Sequence, residues 1–412
     1  MEFTLICRFC KAPLAYSFVD LGMSPLANSF LRREKLYQKE CFYPLHVFVC
    51  GECFLVQLSA LLAPDQIFSD YAYFSSYSET WLKHAQDYVE NMVERFGFDA
   101  GSQVIEIGSN DGYLLRYFKK MGVPVLGVEP AKNVAKVAQA ANIPTMVKFF
   151  GLETAKDIIK EGIQADLLVA NNVLAQAPEL NDFVHGLKIL LKPHGIVTIE
   201  VPHLVKLMDE NQFDTIYHEH FSYFSFITLQ RVFAEHGLII FDVEQLPTHG
   251  GSLRLYGRHA DDETKSITTS VEDLRGRELQ AGLNLLETYA TFAPRVQKTK
   301  RKLLEFLIQA KRSGKSIVGY GAPAKGNTLL NYCGIRSDFI DYTVDRSPHK
   351  QNHYLPGTHI PIYHPDRIKD TRPDYVLILP WNLKNEIMQL MQHIRQWGGR
   401  FVVPIPKVEV YV

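Results

Sequence analysis

The sequence predicts an α/β protein of three domains, a small cysteine-rich domain at the N-terminus and two larger ones in which strands and helices alternate. Five of the six cysteines lie within the first 53 residues. Short apolar strands alternate with helices in residues 103–200 and again in residues 316–379. A chain of 412 residues is also too long for one ordinary core, because domains usually hold roughly 100–200 residues.

The pattern along the chain places the domain boundaries. We expect an N-terminal domain at residues 1–65, a central domain at 66–258, a helical connector at 259–300 and a C-terminal domain at 301–412. An amphipathic helix opens the central domain, and the connector is helical and charged. The central strands are predicted at Gln103–Ile107, Val125–Val128, Ala165–Ala170 and Gly195–Glu200, and the C-terminal strands at Ser316–Tyr320, Ile340–Val344 and Tyr375–Leu379. Such alternation predicts parallel, doubly wound sheets whose ligands lie beyond the strand C-termini.

The composition excludes several classes of partner. Hydrophobic residues make up 46% of the chain and charged residues 22%, as in a soluble globular protein. The formal net charge of -1 gives no basic field, so we expect no nucleic-acid partner. The N-terminal residues do not resemble a signal peptide, and no later apolar run reaches the roughly 18 residues of a membrane span. We therefore expect a cytoplasmic protein without a membrane partner, either monomeric or weakly homo-oligomeric.

Two Cys-x-x-Cys pairs predict a metal site in the N-terminal domain. The pairs are Cys7 with Cys10 and Cys50 with Cys53, a spacing that lets four thiolates surround one tetrahedral zinc. The long stretch between the pairs requires an intervening hairpin and loop to bring them together, and Cys41 is a possible substitute ligand. Four protein ligands leave no open position, so the zinc would be structural. Reduced structural or redox thiols are the alternative.

The turn after the first central strand predicts a nucleoside cofactor. Its glycines let the backbone approach a ligand closely, and a carboxylate at the end of the next strand can accept hydrogen bonds from ribose hydroxyls. The three-glycine dinucleotide pattern is absent, and an acidic residue beside the turn would repel a pyrophosphate. S-adenosylmethionine, which has no phosphate, fits better; the alternative is a turn that serves helix–strand packing. The predicted contacts are Glu106, Gly108, Asn110, Asp111, Gly112 and Glu129.

A further strand ends in two amides, Asn171 and Asn172. In a doubly wound sheet this position would lie under the methyl-donor end of the cofactor, so we expect both residues to contact it. The alternative is that the amides cap their own loop backbone.

The most concentrated acid–base chemistry lies in four consecutive residues, Tyr217, His218, Glu219 and His220. We expect His220 to act as a general base, Glu219 to orient it and Tyr217 to polarise a substrate oxygen. If the segment is extended, at most two of the four side chains share a face, which makes His218 the spectator. A metal site or a structural hydrogen-bonded cluster is the alternative.

Two more glycine-rich turns have the features of substrate-binding segments. One carries Ser252 and Arg254, and the other carries Lys325 and Asn327 at the start of a helix. Backbone N–H groups beside a cation suit an anion, so we expect a pyrophosphate here. For the second turn, a simple connection from strand to helix is the alternative.

Six ordered motifs give the chain a resemblance to a known family over essentially its whole length. They are the two cysteine pairs, Glu-x-Gly-Ser-Asn-Asp-Gly at 106–112, Tyr-His-Glu-His-Phe-Ser-Tyr-Phe-Ser at 217–225, His-Gly-Gly-Ser-Leu-Arg at 249–254, Gly-Tyr-Gly-Ala-Pro-Ala-Lys-Gly-Asn-Thr-Leu-Leu-Asn at 319–331 and Leu-Pro-Gly-Thr-His-Ile-Pro at 355–361. The chain resembles the C-methyltransferases that act on nucleotide-linked ketodeoxysugars.

The resemblance implies a zinc-binding N-terminal domain, a central S-adenosylmethionine domain and a C-terminal Rossmann-like domain that helps to hold a nucleotide-diphosphate sugar. The implied reaction removes the proton beside the 4-ketone and transfers a methyl group to that carbon. Tyr217, Glu219 and His220 match the active-site motif, and Tyr71 or Tyr73 corresponds to a further active-site tyrosine. An O- or N-methyltransferase, or a non-catalytic zinc-dependent binding protein, is the alternative.

One position departs from the family pattern. Relatives commonly carry a histidine where this chain has Gln176. Glutamine can form hydrogen bonds but cannot take up a proton at neutral pH. We expect its amide to orient a differently substituted sugar, while His220 keeps the proton-transfer role.

Overall fold

The computed structural model describes residues 5–59, 74–77 and 79–412, and their strands form three sheets of four, seven and six strands. The predicted α/β fold class is confirmed. Among the helices of the described residues, none combines the length and apolar character needed to cross a bilayer.

The N-terminal unit is a small antiparallel sheet. Its strands are β1 (Tyr16–Ser24), β2 (Tyr43–Val49) and β3 (Val56–Leu58). Inward-facing Phe18, Leu45 and Val47 are almost fully buried, as the alternation of a one-sided sheet requires. The β1–β2 pairing also returns the chain to the first cysteine pair, which is the intervening hairpin that the cysteine spacing requires.

The central unit is a seven-stranded sheet with helices packed against it. Its strands run in the order β10-β11-β8-β7-β4-β5-β6, parallel from β8 to β6, with β11 and β10 antiparallel at one edge. The strands are β4 (Val104–Ile107), β5 (Val125–Val128), β6 (Thr145–Met146), β7 (Ala165–Asn171), β8 (Leu191–Pro202), β10 (Leu238–Leu246) and β11 (Ser252–His259). Strand β9 (Ser222–Tyr223) lies in the same stretch of chain but pairs outside this sheet. The helices are α1 (Glu79–Phe96), α2 (Leu115–Lys120), α3 (Lys132–Ala140), α4 (Leu152–Lys160), α5 (Leu180–Leu190), α6 (Leu204–Asp209) and α7 (Phe226–Glu235).

Helix α1 shows why these segments become helices. Ala85, Tyr88, Val89 and Met92 recur at helical spacing and are buried on one face, so the helix is stabilised by packing against the sheet. Tyr88 also bonds through its hydroxyl to Thr198 of β8 at 2.5 Å.

The C-terminal unit is a second, mostly parallel sheet of order β14-β13-β12-β15-β16-β17. Its strands are β12 (Ile317–Tyr320), β13 (Thr343–Val344), β14 (Ile362–Tyr363), β15 (Tyr375–Ile378), β16 (Arg400–Val403) and β17 (Glu409–Tyr411). Helices α8 (Thr269–Gln280), α9 (Leu286–Ala290) and α10 (Phe292–Arg312) lead into it, and α11 (Ala324–Cys333), α12 (Arg367–Thr371) and α13 (Lys384–Leu390) belong to it. Helix α10 runs through residue 300, where the sequence pattern placed a boundary.

The three units share one segment of chain. Strand β9 pairs with β3, with Tyr223 opposite Val56, and so completes the N-terminal sheet from within the central domain. Arg8 donates to the carbonyl of Phe221 at 2.5 Å, and Thr328 of α11 donates to the carbonyl of Ile216 at 2.9 Å. Residues 216–223 are therefore held by the first and third units at once.

The buried ion pair between Arg254 and Glu200 gives a stability prediction. Arg254 Nη2 lies 2.6 Å from Glu200 Oε1, and both side chains are almost fully buried. Arg254→Met leaves the carboxylate without its main partner, so we expect the free energy of unfolding to fall by about 3–5 kcal/mol. Urea unfolding followed by circular dichroism measures it. Lys206→Met, which removes an exposed pair with Glu210, should cost less than about 1 kcal/mol; equal costs would contradict the prediction.

Candidate active site

A large cavity lies where the three units meet. Its volume is about 540 Å³, within the usual range of small-molecule sites. Asn28 and Phe30 come from the N-terminal unit, Gly108 and His220 from the central unit, and Lys325 from the C-terminal unit. The turn predicted to bind a cofactor and the residue predicted to move a proton therefore open into one space.

The turn after β4 brings backbone to the cavity wall. Gly108 has φ +67°, and a Cβ atom there would lie 2.5 Å from Val173 Cγ2, so a larger residue would collide. The Gly108 N–H donates to the carbonyl of Val128 at 2.7 Å. Asn110 follows in the left-handed region and also lines the cavity.

Glu129 lies at the end of β5, where the sequence placed a ribose-binding carboxylate. One oxygen accepts the N–H of Asn110 at 3.0 Å and the other that of Ala131 at 2.8 Å. Burial raises the pKa of this carboxyl group. Glu129 lines the cavity, and each carboxylate oxygen has a second lone pair with which to accept a hydroxyl.

Three predicted cofactor contacts lie behind the cavity wall. Burial raises the pKa of Glu106 well above its ordinary value, and the side chain is 1% exposed. Asp111 accepts the N–H of Ser76 at 3.2 Å. A Cβ on Gly112 would lie 2.9 Å from Ile143, so this glycine serves packing. None of the three lines the cavity; they shape the turn that does.

The two strand-end amides face the cavity. Asn171 and Asn172 both line it, and their side-chain carbonyl oxygens are buried without a hydrogen-bond partner among the described residues. Asn172 takes a left-handed conformation with φ +58°, and its N–H bonds to the carbonyl of Glu200 at 2.7 Å. The arrangement leaves both oxygens available to a ligand, because neither caps its own loop.

Residues 217–220 form a turn rather than a strand, which corrects the expectation that at most two of their side chains share a face. The N–H of His220 donates to the carbonyl of Tyr217 at 2.9 Å. Because the turn folds the chain back, Tyr217, Glu219 and His220 all line the cavity. His218 does not, since its Nε2 lies 3.3 Å from the carbonyl of Pro44.

The hydrogen-bond partners of His220 determine which of its ring nitrogens carries the hydrogen. Nδ1 lies 3.2 Å from the carbonyl of Thr215, and Nε2 lies 3.1 Å from the hydroxyl of Tyr217. A carbonyl can only accept, so Nδ1 carries the hydrogen and Nε2 the lone pair. Burial lowers the pKa of His220 to about 4, with a smaller contribution from the neighbouring His249 and Lys325. The ring is therefore a neutral base at physiological pH.

Glu219 has another partner than the one predicted. Its two oxygens accept from Asn28 Nδ2 at 2.7 and 3.0 Å, whereas the ring of His220 is held by Thr215 and Tyr217. Glu219 thus ties the N-terminal unit to the cavity. Gln176 lies on the same wall, half-buried.

The structure separates the four predicted substrate residues. Lys325 lines the cavity at the start of α11. Arg254 does not, because Glu200 and Glu244 bind its guanidinium within the sheet. Ser252 is buried with its hydroxyl on the carbonyl of Thr248, and Asn327 donates to the carbonyl of Ala27 at 2.6 Å. Ser252 therefore closes its own turn, Asn327 links the C-terminal unit to the N-terminal unit, and neither side chain lines the cavity.

Several lining residues escaped the sequence analysis. Trp81, Phe149, His249 and Lys350 all face the cavity. His249 lies inside a motif that the sequence had singled out, and its left-handed φ of +55° marks it as unusual. Lys350 lies outside all the motifs of the sequence analysis, so nothing in the sequence marked it as a cavity residue. Tyr71 and Tyr73 lie outside the described residues.

The four predicted zinc ligands come together. The sulfur atoms of Cys7, Cys10, Cys50 and Cys53 all lie within 4.8 Å of one another. The closest pairs, Cys7 with Cys53 and Cys10 with Cys50, are 3.6 and 3.5 Å apart, near the roughly 3.8 Å separation of sulfurs around a tetrahedral zinc. Cys41 is exposed and outside this group.

Comparisons with known proteins agree with this architecture. Three family models match: "Putative zinc binding domain" at residues 7–68, "Methyltransferase domain" at 81–243 and "C-methyltransferase C-terminal domain" at 247–406. C-methyltransferase NovU of Streptomyces niveus is 36% identical over 98% of this chain and 96% of its own length.

More distant similarities cover only part of the chain. A ubiquinone biosynthesis O-methyltransferase of Azorhizobium caulinodans is 26% identical over 26% of this chain and 46% of its own. The magnesium protoporphyrin IX methyltransferase of Synechocystis PCC 6803, solved with bound S-adenosylmethionine, has a TM-score of 0.33 at 14% identity, over 47% of this chain and 88% of its own. At that score the similarity carries no argument.

The chain belongs to the C-methyltransferase family, as its relationship to NovU over nearly the full length shows. It is an enzyme of the methyltransferase class. The predicted cofactors, S-adenosylmethionine and zinc, are confirmed with it, and the open cofactor turn and the four converging sulfurs fit them.

Zinc content gives a direct check of the metal site. Cys53→Ser removes one of four ligands, so we expect the bound zinc to fall from about one per chain to well below that value. Metal analysis after gel filtration measures it. Cys41→Ser should keep full zinc, and loss of zinc from this control instead would contradict the assignment.

The buried environment of His220 predicts an unusual titration. The folded chain should take up this proton near pH 4, whereas an unfolded chain takes it up near pH 6.5. His220 therefore favours folding fully above about pH 6.5 and loses this contribution as the pH falls toward 4. Nitrogen-15 NMR of ring-labelled histidine, assigned with His220→Gln, should show a neutral Nδ1–H ring at pH 6. A charged ring at that pH would contradict it.

Proposed function

We propose that this protein is an S-adenosylmethionine-dependent C-methyltransferase that methylates the carbon beside the ketone of a nucleotide-linked 4-keto-deoxysugar. The observation that carries the proposal is that a neutral histidine with its lone pair on Nε2, in a Tyr217–His220 pair, shares one cavity with the cofactor turn. Methyl transfer to carbon requires a base that removes the proton from that carbon, whereas an oxygen or nitrogen nucleophile depends less on such a base.

The cofactor end of the cavity suits S-adenosylmethionine. Glu129 would accept from the ribose hydroxyls, Asn110 and the backbone at Gly108 would hold the amino-acid part, and Phe150 lies on the same wall. When bound, S-adenosylmethionine supplies a methyl group on a sulfonium. The amide oxygens of Asn171 and Asn172, which have no hydrogen-bond partner in the part of the chain that the structure describes, would orient that end of the molecule.

The part of the cavity that the C-terminal unit lines suits a nucleotide diphosphate. Lys325 and Lys350 both line it, and Pro323 and Ala324 bring the N-terminus of α11 to the same place. Two ammonium groups and the positive end of a helix attract phosphate oxygens. Burial lowers the pKa of Lys325, so a diphosphate would stabilise its charged form.

The Tyr217–His220 pair supports a proton-transfer step. On substrate binding, the Tyr217 hydroxyl would donate to the ketone oxygen instead of His220 Nε2. Nε2 then accepts the proton of the neighbouring carbon, the C–H electron pair moves into the enolate, and Tyr217 stabilises its oxygen. The negative enolate offsets the cost of the buried imidazolium. The enolate carbon would then form a bond to the methyl group that the bound cofactor supplies, and the electron pair of the broken carbon–sulfur bond would remain on sulfur.

The decisive experiment supplies labelled S-adenosylmethionine and a panel of nucleotide-4-ketosugars. We expect label on carbon, and solvent deuterium to exchange into that carbon without the methyl donor. His220→Gln should slow both by about 10²–10⁴-fold, because the general base is lost. His218→Gln, whose ring lies outside the cavity, is the matched control and should retain both. Label on oxygen or nitrogen, or exchange that persists in His220→Gln, would refute the mechanism.

Gln176 gives a test of substrate preference. Its amide lines the cavity beside the proton-transfer pair, and it can donate and accept but not titrate. We expect Gln176→His to change the order of preference among ketosugars that differ in one substituent, with exchange at the reacting carbon retained. Competition experiments with substrate pairs measure the ratio of kcat/KM values. An unchanged order with all pairs would contradict a role in orientation.

A further inference from the structure

Asp214, just ahead of the proton-transfer residues, is buried without full compensation. Its side chain is 0% exposed, and Oδ2 accepts the indole N–H of Trp381 at 2.7 Å. Oδ1 has no hydrogen-bond partner among the described residues. Such a group is costly to bury, and the bond from Trp381 is a side-chain contact that holds it in place.

The neighbouring residue fixes the base. Asp214 lies in the short 3-10 helix Phe213–Thr215, and the carbonyl of Thr215 accepts from His220 Nδ1 at 3.2 Å. That bond decides which ring nitrogen carries hydrogen. A rotation of the 213–215 turn would therefore change the tautomer of His220 without touching its ring.

Trp381 connects this turn to Lys325, which lines the cavity. It belongs to the C-terminal unit, just beyond β15, and Lys325 Nζ lies 4.4 Å from the centre of its ring. A cation over an indole face is attracted to it. A Cβ on Gly250 would lie 2.8 Å from the same ring, so the indole also packs against the turn that carries His249.

We propose that Trp381 and Asp214 are a positioning pair that orients His220 for proton abstraction and links it to Lys325 of the C-terminal unit. Neither residue lines the cavity, so both act through others: Asp214 through the Thr215 carbonyl, and Trp381 through Asp214 and the ring face under Lys325. The catalytic consequence rests on the proposed function, but the orientation of His220 does not.

Trp381→Phe tests the pair, because it keeps a ring under Lys325 and removes the N–H bond to Asp214. In the full-length, zinc-loaded protein without substrate, nitrogen-15 NMR should show His220 leaving the pure Nδ1–H tautomer. With a nucleotide-4-ketosugar, deuterium exchange should slow by about tenfold or more, since small displacements of a reacting group cost this much. KM should change less than kcat.

Trp397→Phe is the matched control, since Trp397 of the same unit donates its indole N–H to the carbonyl of Pro373 at 3.0 Å. It should leave the His220 tautomer and the exchange rate unchanged. Asp214→Ala should resemble Trp381→Phe, and Asp214→Asn, whose amide oxygen can still accept from Trp381, should restore the tautomer. If Asp214→Ala does not fold, the two tryptophan variants decide alone.

Two outcomes would overturn the inference. One is an unchanged His220 tautomer in Trp381→Phe, and the other is an equal shift in Trp397→Phe, which would indicate general loosening of the C-terminal unit. If no ketosugar reacts with the unmodified enzyme, the proposed function fails, and the NMR comparison still decides whether Trp381 and Asp214 orient His220.

Discussion

The pairing of β9 with β3 is the interaction on which the active site depends. It puts two residues of the central domain, Ser222 and Tyr223, into the sheet of the zinc-binding unit. His220 stands just ahead of that strand, so the backbone of its segment is anchored to the N-terminal unit, while Thr215 and Tyr217 hold the ring itself. The four cysteines converge in that unit. A structural zinc bound by them would stabilise the N-terminal sheet and so, indirectly, the segment that carries His220.

The two large sheets use the same device to expose backbone at a strand end. In the central sheet, Gly108 donates to the last carbonyl of the neighbouring strand, and Glu129 accepts the N–H of Asn110. In the C-terminal sheet, the N–H of Gly321 donates to the carbonyl of Val344, and Asp345 accepts the N–H of Ala322 at 2.8 Å. Each carboxylate fixes a glycine turn at the edge where parallel sheets bind ligands. Each of the two large sheets therefore has a fixed turn at the end of its first strand.

Lys325 is a cation that acts on two histidines of the cavity. Desolvation, with a smaller contribution from the ammonium group of Lys325, lowers the pKa values of His220 and His249 to about 4. Asp214, which partly compensates Lys325, has its pKa raised to about 7 by burial. If the substrate is the proposed nucleotide sugar, its diphosphate at Lys325 would relieve the positive potential around His220. Substrate binding would then raise the basicity of that ring.

The sequence by itself determined the fold class and predicted that four cysteines converge and that the glycine turn and His220 meet in one site, because these depend on local spacing: Cys-x-x-Cys pairs, glycines after a strand and a cluster of titratable residues. It could not show that 217–220 is a turn, that Glu219 bonds Asn28, or that Arg254 and Asn327 serve the scaffold. Those outcomes were decided by partners far away in the chain. Only the tertiary structure brings these side chains and their partners together. In the sequence, a polar residue beside a glycine turn has the same pattern whether it binds a substrate or a buried carboxylate.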